Sequence, residues 1–125
     1  MRTEKRGLSN TQLLLTNLDG EYVGNCAFNG NRKSRYQHRV TMAIALYQKY
    51  TGMGIRTVMA NKLIEIARAK GYEQMELEVI ADNKKAISLY KKLGFEICGT
   101  LPNNMKYKDG SYADAYWMVK QLYYK

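Results

Sequence analysis

Two glycines sit where an apolar stretch gives way to a helical pattern, in the run Tyr50-Thr51-Gly52-Met53-Gly54-Ile55-Arg56-Thr57. Glycine takes left-handed backbone angles and lets a ligand approach the main chain. A helix starting at Ile55 would aim the unpaired N–H groups of its first turn at whatever lies in front, together with about half a positive charge from its dipole. The chemistry this suits is anion binding, above all of phosphate. The same glycines serve equally well in an ordinary loop, so their meaning rests on what lies downstream.

The surrounding elements can be read from periodicity. The apolar strand Val40 to Leu46 runs into the glycine turn, within a strand expected over His38 to Leu46. After the turn, Ile55, Val58, Met59, Leu63, Ile66 and Ala67 repeat at i, i+3, i+4, predicting a helix from Ile55 to Lys70 capped by Gly71. Upstream, Leu13 to Asn17 and Tyr22 to Phe28 flank Asp19-Gly20, a hairpin signature, and a polar loop follows over Asn29 to Gln37. Downstream, Met75 to Val79 alternates as a strand. Asp82 or Asn83 caps a second helix, Lys84 to Leu93, with Ala86, Ile87, Leu89 and Tyr90 inward and Gly94 at its end. Phe95 to Thr100, a turn at Asp109-Gly110 and Tyr112 to Leu122 complete an order β-β-β-α-β-α-β-β. This predicts an α/β fold with a mixed sheet, whose third and fourth strands are parallel because a helix joins them.

Bulk properties narrow the function classes. At 125 residues the chain reads as one domain spanning 1–125, large enough to fold without metal or disulfide. Cys26 and Cys98 are isolated, which argues against a metal site and for a reduced, cytoplasmic setting. The longest apolar run, Met42 to Tyr47, is too short to cross a bilayer, and Met1 to Thr11 lacks the apolar core of a secretory signal, so no membrane partner is expected. The net charge of +9 fits either an anionic partner or a basic solvated surface. No nucleic-acid-binding signature accompanies it, so nucleic acid is not expected as a partner. A Walker A loop is absent, and the third glycine of the dinucleotide fingerprint would fall at Thr57.

A third phosphate-binding pattern fits. Gly52-Met53-Gly54-Ile55, the strand Glu76 to Val79, and the block from Asn83 through Ala86, Leu89, Tyr90, Gly94 and Phe95 resemble the two acyl-CoA half-sites of the GNAT N-acetyltransferase superfamily, over about residues 12–122. The resemblance implies the GNAT-like acyl-CoA N-acyltransferase fold and direct transfer of acetyl from acetyl-CoA to an amine, small-molecule or peptide. It implies that Thr51, Gly52, Met53, Gly54, Ile55, Arg56 and Thr57 hold the pyrophosphate, and that Ala45 and Leu46 pair with the pantetheine arm. Asn83 would contact that arm besides capping its helix. Tyr90 would protonate the departing thiolate, although by residue type alone it reads as packing.

The chain departs from the family pattern in three places. Thr51 stands where arginine or glutamine is usual, and Arg56 where a small residue is usual. Thr41 stands where many relatives carry a catalytic glutamate; His38, Glu76, Glu78 and Asp114 are the substitutes available, none singled out. The family's strand and two helices before the meander have only Met1 to Asn10 to occupy, a segment read as too short and polar for them and as a flexible or interface stretch. Loss of that wall predicts an exposed sheet edge and apolar face, and so a homodimer. A CoA-binding module without turnover is the alternative reading.

Overall fold

The computed structural model describes residues 2–6, 11–30 and 37–122. Of the polar loop read over Asn29 to Gln37, residues 31–36 lie outside them, and Asn29 and Gly30 belong to a strand. The strand–helix order is β1 (Arg2–Arg6), β2 (Thr11–Leu18), β3 (Glu21–Gly30), β4 (Arg39–Leu46), α1 (Ile55–Ala69), β5 (Gln74–Ile80), α2 (Lys84–Lys92), β6 (Glu96–Lys106) and β7 (Tyr112–Gln121). The α/β reading holds, with one correction. Arg2–Arg6, read as too polar, is a strand paired antiparallel with β2, Arg2 opposite Asn17 and Arg6 opposite Leu13. An outermost strand needs backbone partners on one side only, and charged residues are what such strands commonly carry. Residues 7–10, between β1 and β2, lie outside the described ones.

The chain forms two compact units, Met1–Met75 with Leu122–Lys125, and Glu76–Gln121. In the first, β1-β2-β3-β4 form an antiparallel sheet. Asp19 and Gly20, with φ of 50° and 83°, make the β2–β3 turn that the Asp-Gly pair predicts. One sheet face buries Leu14, Cys26, Phe28, Val40 and Met42, and α1 packs on β3 and β4 with Ile55, Met59, Leu63, Ile66 and Ala67 buried. Val58 is 48% exposed despite its place in the apolar stripe; Ala60 and Ile64 are buried instead. Burial pushes the Cys26 thiol up to about 12, so it behaves as a small apolar core group. Gly71, at φ 88°, ends α1. The N–H groups of Glu73 and Gln74 both donate to the His38 carbonyl, which ties the chain after α1 to the residue before β4.

The second unit orders its strands β5-β7-β6. Ala86, Ile87 and Tyr90 of α2 are buried, with Leu89 at the boundary. β6 runs on to Lys106, so most of the segment read as a loop before Asp109-Gly110 is strand, with a bulge between Leu101 and Met105. The Asp114 carboxylate accepts from the Asn103 N–H at 2.9 Å and holds that bulge. On α2 the sequence reading and the structure differ by one residue at the end.

β3 carries a bulge of its own. Thr16 faces Gly24 and Asn17 faces Tyr22, leaving Val23 as the extra residue. At Gly24 the strand runs so close to β4 that an added Cβ would overlap the Ala45 carbonyl oxygen and lie 2.9 Å from the Leu46 Cα. Gly24→Ala should therefore destabilise the protein by about 1–3 kcal/mol, the usual range for forcing atoms into filled space. A urea midpoint equal to that of the unaltered protein would show that the strands can part at no cost.

Candidate active site

The glycine turn is built as the sequence suggests. After β4, Tyr47 N–H donates to the Val23 carbonyl at 3.0 Å, and Gln48–Tyr50 form one 3₁₀ turn. Thr51 closes it: its N–H and its hydroxyl donate to the Gln48 carbonyl at 3.1 and 2.8 Å. That use of the side chain explains threonine where a longer basic or amide residue was expected. Gly52 and Gly54 take φ of 81° and 78°, the left-handed region, and a Cβ at either would meet nothing within 4 Å. Glycine is needed here for backbone angle rather than space.

Gly54 is the N-cap of α1, and no side chain caps it. The first helical bond formed is Val58 N–H to the Gly54 carbonyl. The N–H groups of Ile55, Arg56 and Thr57 thus point out of the helix start, as first-turn donors must. Ile55 is buried and anchors the turn; Arg56 and Thr57 are half-buried, and Thr51, Gly52, Met53 and Gly54 are exposed. No acidic residue occupies the first turn to compete with an anion. Donor set, dipole and open backbone fit a pyrophosphate.

Ala45 is exposed and Leu46 half-buried at the end of β4. With Tyr22, Gly24, Asn25 and Tyr47 they line a depression of about 180 Å³. A neighbouring hollow is bordered by Glu21, Tyr47 and Tyr50, where the Tyr50 hydroxyl donates to the Glu21 carboxylate. That bond holds the Tyr50 phenol above its ordinary range. The sequence reading passes over Tyr22, Asn25 and Tyr47, because their meeting depends on the β3 bulge, which leaves no local pattern.

Asn83 and Tyr90 belong to the second unit. Asn83 caps α2, its side-chain oxygen accepting from the Ala86 N–H at 3.2 Å. Its amide NH₂ remains a free donor among the described residues. Tyr90 packs edge-to-face on Phe95, ring centroids 5.8 Å apart, and is 6% exposed. Its hydroxyl has no partner among the described residues, and the only buried side-chain polar atom lacking one is Thr16 Oγ1. The ring is therefore core while its hydroxyl reaches the surface, so the two readings of Tyr90 are compatible.

The candidate bases fare differently. Thr41, His38 and Glu78 are exposed. Glu76 is 2% exposed and accepts from the Trp117 indole N–H at 2.9 Å. Asp114 is engaged with Asn103. No group of three or more potential metal ligands occurs among the described residues, and no helix among them is long and apolar enough to cross a membrane.

A model of the acetyltransferase (GNAT) family matches residues 2–95. The chain belongs to the GNAT acetyltransferase family. It is 32% identical over 110 residues to an L-amino acid N-acetyltransferase of Escherichia coli, covering 86% of this chain and 66% of that relative. It is 31% identical over 114 residues to an L-methionine sulfoximine/L-methionine sulfone acetyltransferase of Pseudomonas aeruginosa, covering 88% and 64%. Among solved structures, a GNAT acetyltransferase of Streptococcus pneumoniae superposes with a TM-score of 0.85 at 28% identity, over 90% of this chain and 67% of that one. The chain spans just under two thirds of the length of either curated relative.

The two jobs given to Asn83 separate by mutation. Asn83→Ala should cost about 1 kcal/mol of stability through the lost cap, whereas Asn83→Asp keeps a capping oxygen and loses only the amide donors. If Asn83 also holds the pantetheine arm, both variants should bind acetyl-CoA more weakly in calorimetric titration. Wild-type affinity in both would confine Asn83 to capping.

Proposed function

We propose that residues 1–125 act as one N-acetyltransferase domain, carrying an acetyl group from acetyl-CoA directly to a primary amine. The observation that carries this reading is the uncapped start of α1 behind two left-handed glycines, with first-turn N–H groups free to receive a pyrophosphate, in a chain of this family. Acetyl-CoA supplies the activated thioester. Gly52, Gly54, Ile55, Arg56 and Thr57 would bind the pyrophosphate through the backbone, with Thr51 and Met53 completing the turn. Ala45 and Leu46 would align the pantetheine arm and present a main-chain N–H to the carbonyl, where negative charge develops.

In the transfer, the amine nitrogen attacks the thioester carbonyl carbon. A C–N bond forms, the C–S bond breaks, and the thiolate leaves with its electron pair. The Tyr90 hydroxyl gives that thiolate its proton, and the nitrogen loses one to solvent or a base. A buried ring with a free hydroxyl suits this role, since the proton's origin is held rigidly while its path stays open. The named activities of the two curated relatives support a free amino acid or similar small amine as acceptor. The reading keeps the cytoplasmic setting inferred from the isolated cysteines, and it calls for no metal.

Self-association is part of the proposal. β6 lies outermost in its unit, and Ile97, Leu101 and Met105 on it are 39%, 38% and 37% exposed. A second copy covering that strand would bury them. Light scattering should give the mass of a dimer at micromolar concentration; a monomer at high concentration would remove the dimer.

Acetyl-CoA and CoA, but not NAD, should raise the melting temperature, and an amine panel should reveal acetyl-dependent thiol release. Tyr90→Phe should lower kcat by about 10²–10⁴-fold, the usual worth of a positioned general acid, with acetyl-CoA affinity nearly unchanged. Cofactor binding with no thiol release across the panel would favour the CoA-binding module without turnover, and unaltered kcat in Tyr90→Phe would remove Tyr90 from the reaction.

A further inference from the structure

The bulge in β3 re-aims a side chain. In regular alternation Val23, Asn25 and Ala27 would share one face of the strand, and Tyr22 would lie on the other. With Val23 as the extra residue, Val23 turns into the core, fully buried like Cys26 and Phe28. Tyr22 comes round to the face of Asn25, whose side-chain Nδ2 donates to the Tyr22 hydroxyl oxygen at 2.6 Å. Tyr47 stands edge-on to Tyr22, ring centroids 5.8 Å apart at 83°. Bulges recur beside functional sites for this reason, since they point one residue where the pleat would not.

The place they make is specific. Asn25 is directly opposite Ala45, and Gly24 is opposite Leu46, close enough that only a residue without a side chain fits. The depression therefore adjoins the two β4 residues proposed to hold the reacting end of the acyl donor. Its polar groups are complementary to an amine with a second polar group. Asn25 bonds Tyr22 through Nδ2, and its Oδ1 has no partner among the described residues. Tyr22 accepts that bond and keeps its own proton to donate, and the Tyr47 hydroxyl has no partner among the described residues. The two rings, packed on each other, add apolar lining. The depression, about 180 Å³, shares Tyr22 and Tyr47 with the neighbouring hollow at Glu21 and Tyr50.

We infer that this depression is the acceptor subsite, that it takes a primary amine, and that Asn25 Oδ1 orients the amine by accepting one of its N–H bonds. Asn25 is a positioning residue, held in turn by Tyr22. The inference rests on the N-acetyltransferase reading, and one set of measurements separates the two. With the best acceptor of the amine panel, Asn25→Ala should raise the acceptor KM about ten-fold, the usual effect of deleting one hydrogen bond to a charged or polar ligand. The KM for acetyl-CoA and its thermal stabilisation should stay within two-fold and a degree or so of the parent. Tyr22→Phe, which keeps the ring and removes the hydroxyl that steadies Asn25, should move the acceptor KM in the same direction by less. Tyr47→Phe alters only an exposed hydroxyl and reads the same pocket if Asn25→Ala does not fold. Unchanged acceptor KM in the folded variants overturns the subsite and leaves the N-acetyltransferase reading standing. A wild-type protein that binds no acetyl-CoA, or that acetylates no amine of the panel, overturns both.

Discussion

The packing of α1 across β3 and β4 is the constraint on which the first unit's chemistry depends. Met59, Leu63, Ile66 and Ala67 are buried on the helix, and Leu14, Cys26, Phe28, Val40 and Met42 on the sheet. At about 25 cal/mol per Å² of apolar surface, burying such side chains is worth about 1.5–3 kcal/mol each, so the helix has little freedom to slide. Fixing its body fixes its start. The first-turn N–H groups of Ile55, Arg56 and Thr57 then lie beyond the end of β4, unpaired because helix geometry gives them no partner. The far end of α1 is tied down as well: Arg68 Nε donates to the Leu122 carbonyl at 2.7 Å, and Lys70 Nζ to Gln12 Oε1 at 3.1 Å. An anion cradle made of backbone cannot be tuned by rotamers, so it must be placed by packing.

The loop joining β4 to that helix works under the opposite demand, to turn sharply without filling space. Two glycines in left-handed conformation do this, and Thr51 locks the preceding 3₁₀ turn with its hydroxyl. Threonine here serves the loop's own backbone; the longer residue expected by resemblance would have reached outward. Affinity for the proposed pyrophosphate would then come mainly from N–H groups and the dipole, with Arg56, half-buried at the second helical position, as the nearest cation in the sequence of the turn.

What the sequence discloses and what it hides follow from the range of the interactions involved. The Asp19-Gly20 turn, the Asn83 cap, the glycine ends at Gly71 and Gly94 and the Gly52–Gly54 turn are encoded within a few residues, and each is found where the local pattern puts it. Hidden features depend on partners distant in sequence. Arg2–Arg6 is a strand because β2 offers its edge, not because of its own composition. β6 outruns its expected end because β7 keeps pairing with it past the bulge held by Asp114. Val58 fits the apolar period yet stays exposed, since the period marks a stripe and the sheet decides how wide a stripe it covers. The β3 bulge is the clearest case: nothing in Glu21-Tyr22-Val23-Gly24 announces it, and it decides which side chains stand beside Ala45.

The face of β3 and β4 turned away from α1 exposes Thr41, Ala43 and Ala45. On the proposed reading, an acceptor amine would be held in part by what these strands present. Small residues at 43 and 45 offer area but no grip, and a threonine at 41 offers no base at neutral pH. The side chains with reach are those the bulge and the end of β4 supply, Tyr22, Asn25 and Tyr47. One displaced residue in β3 thus decides which side chains the proposed acceptor would meet.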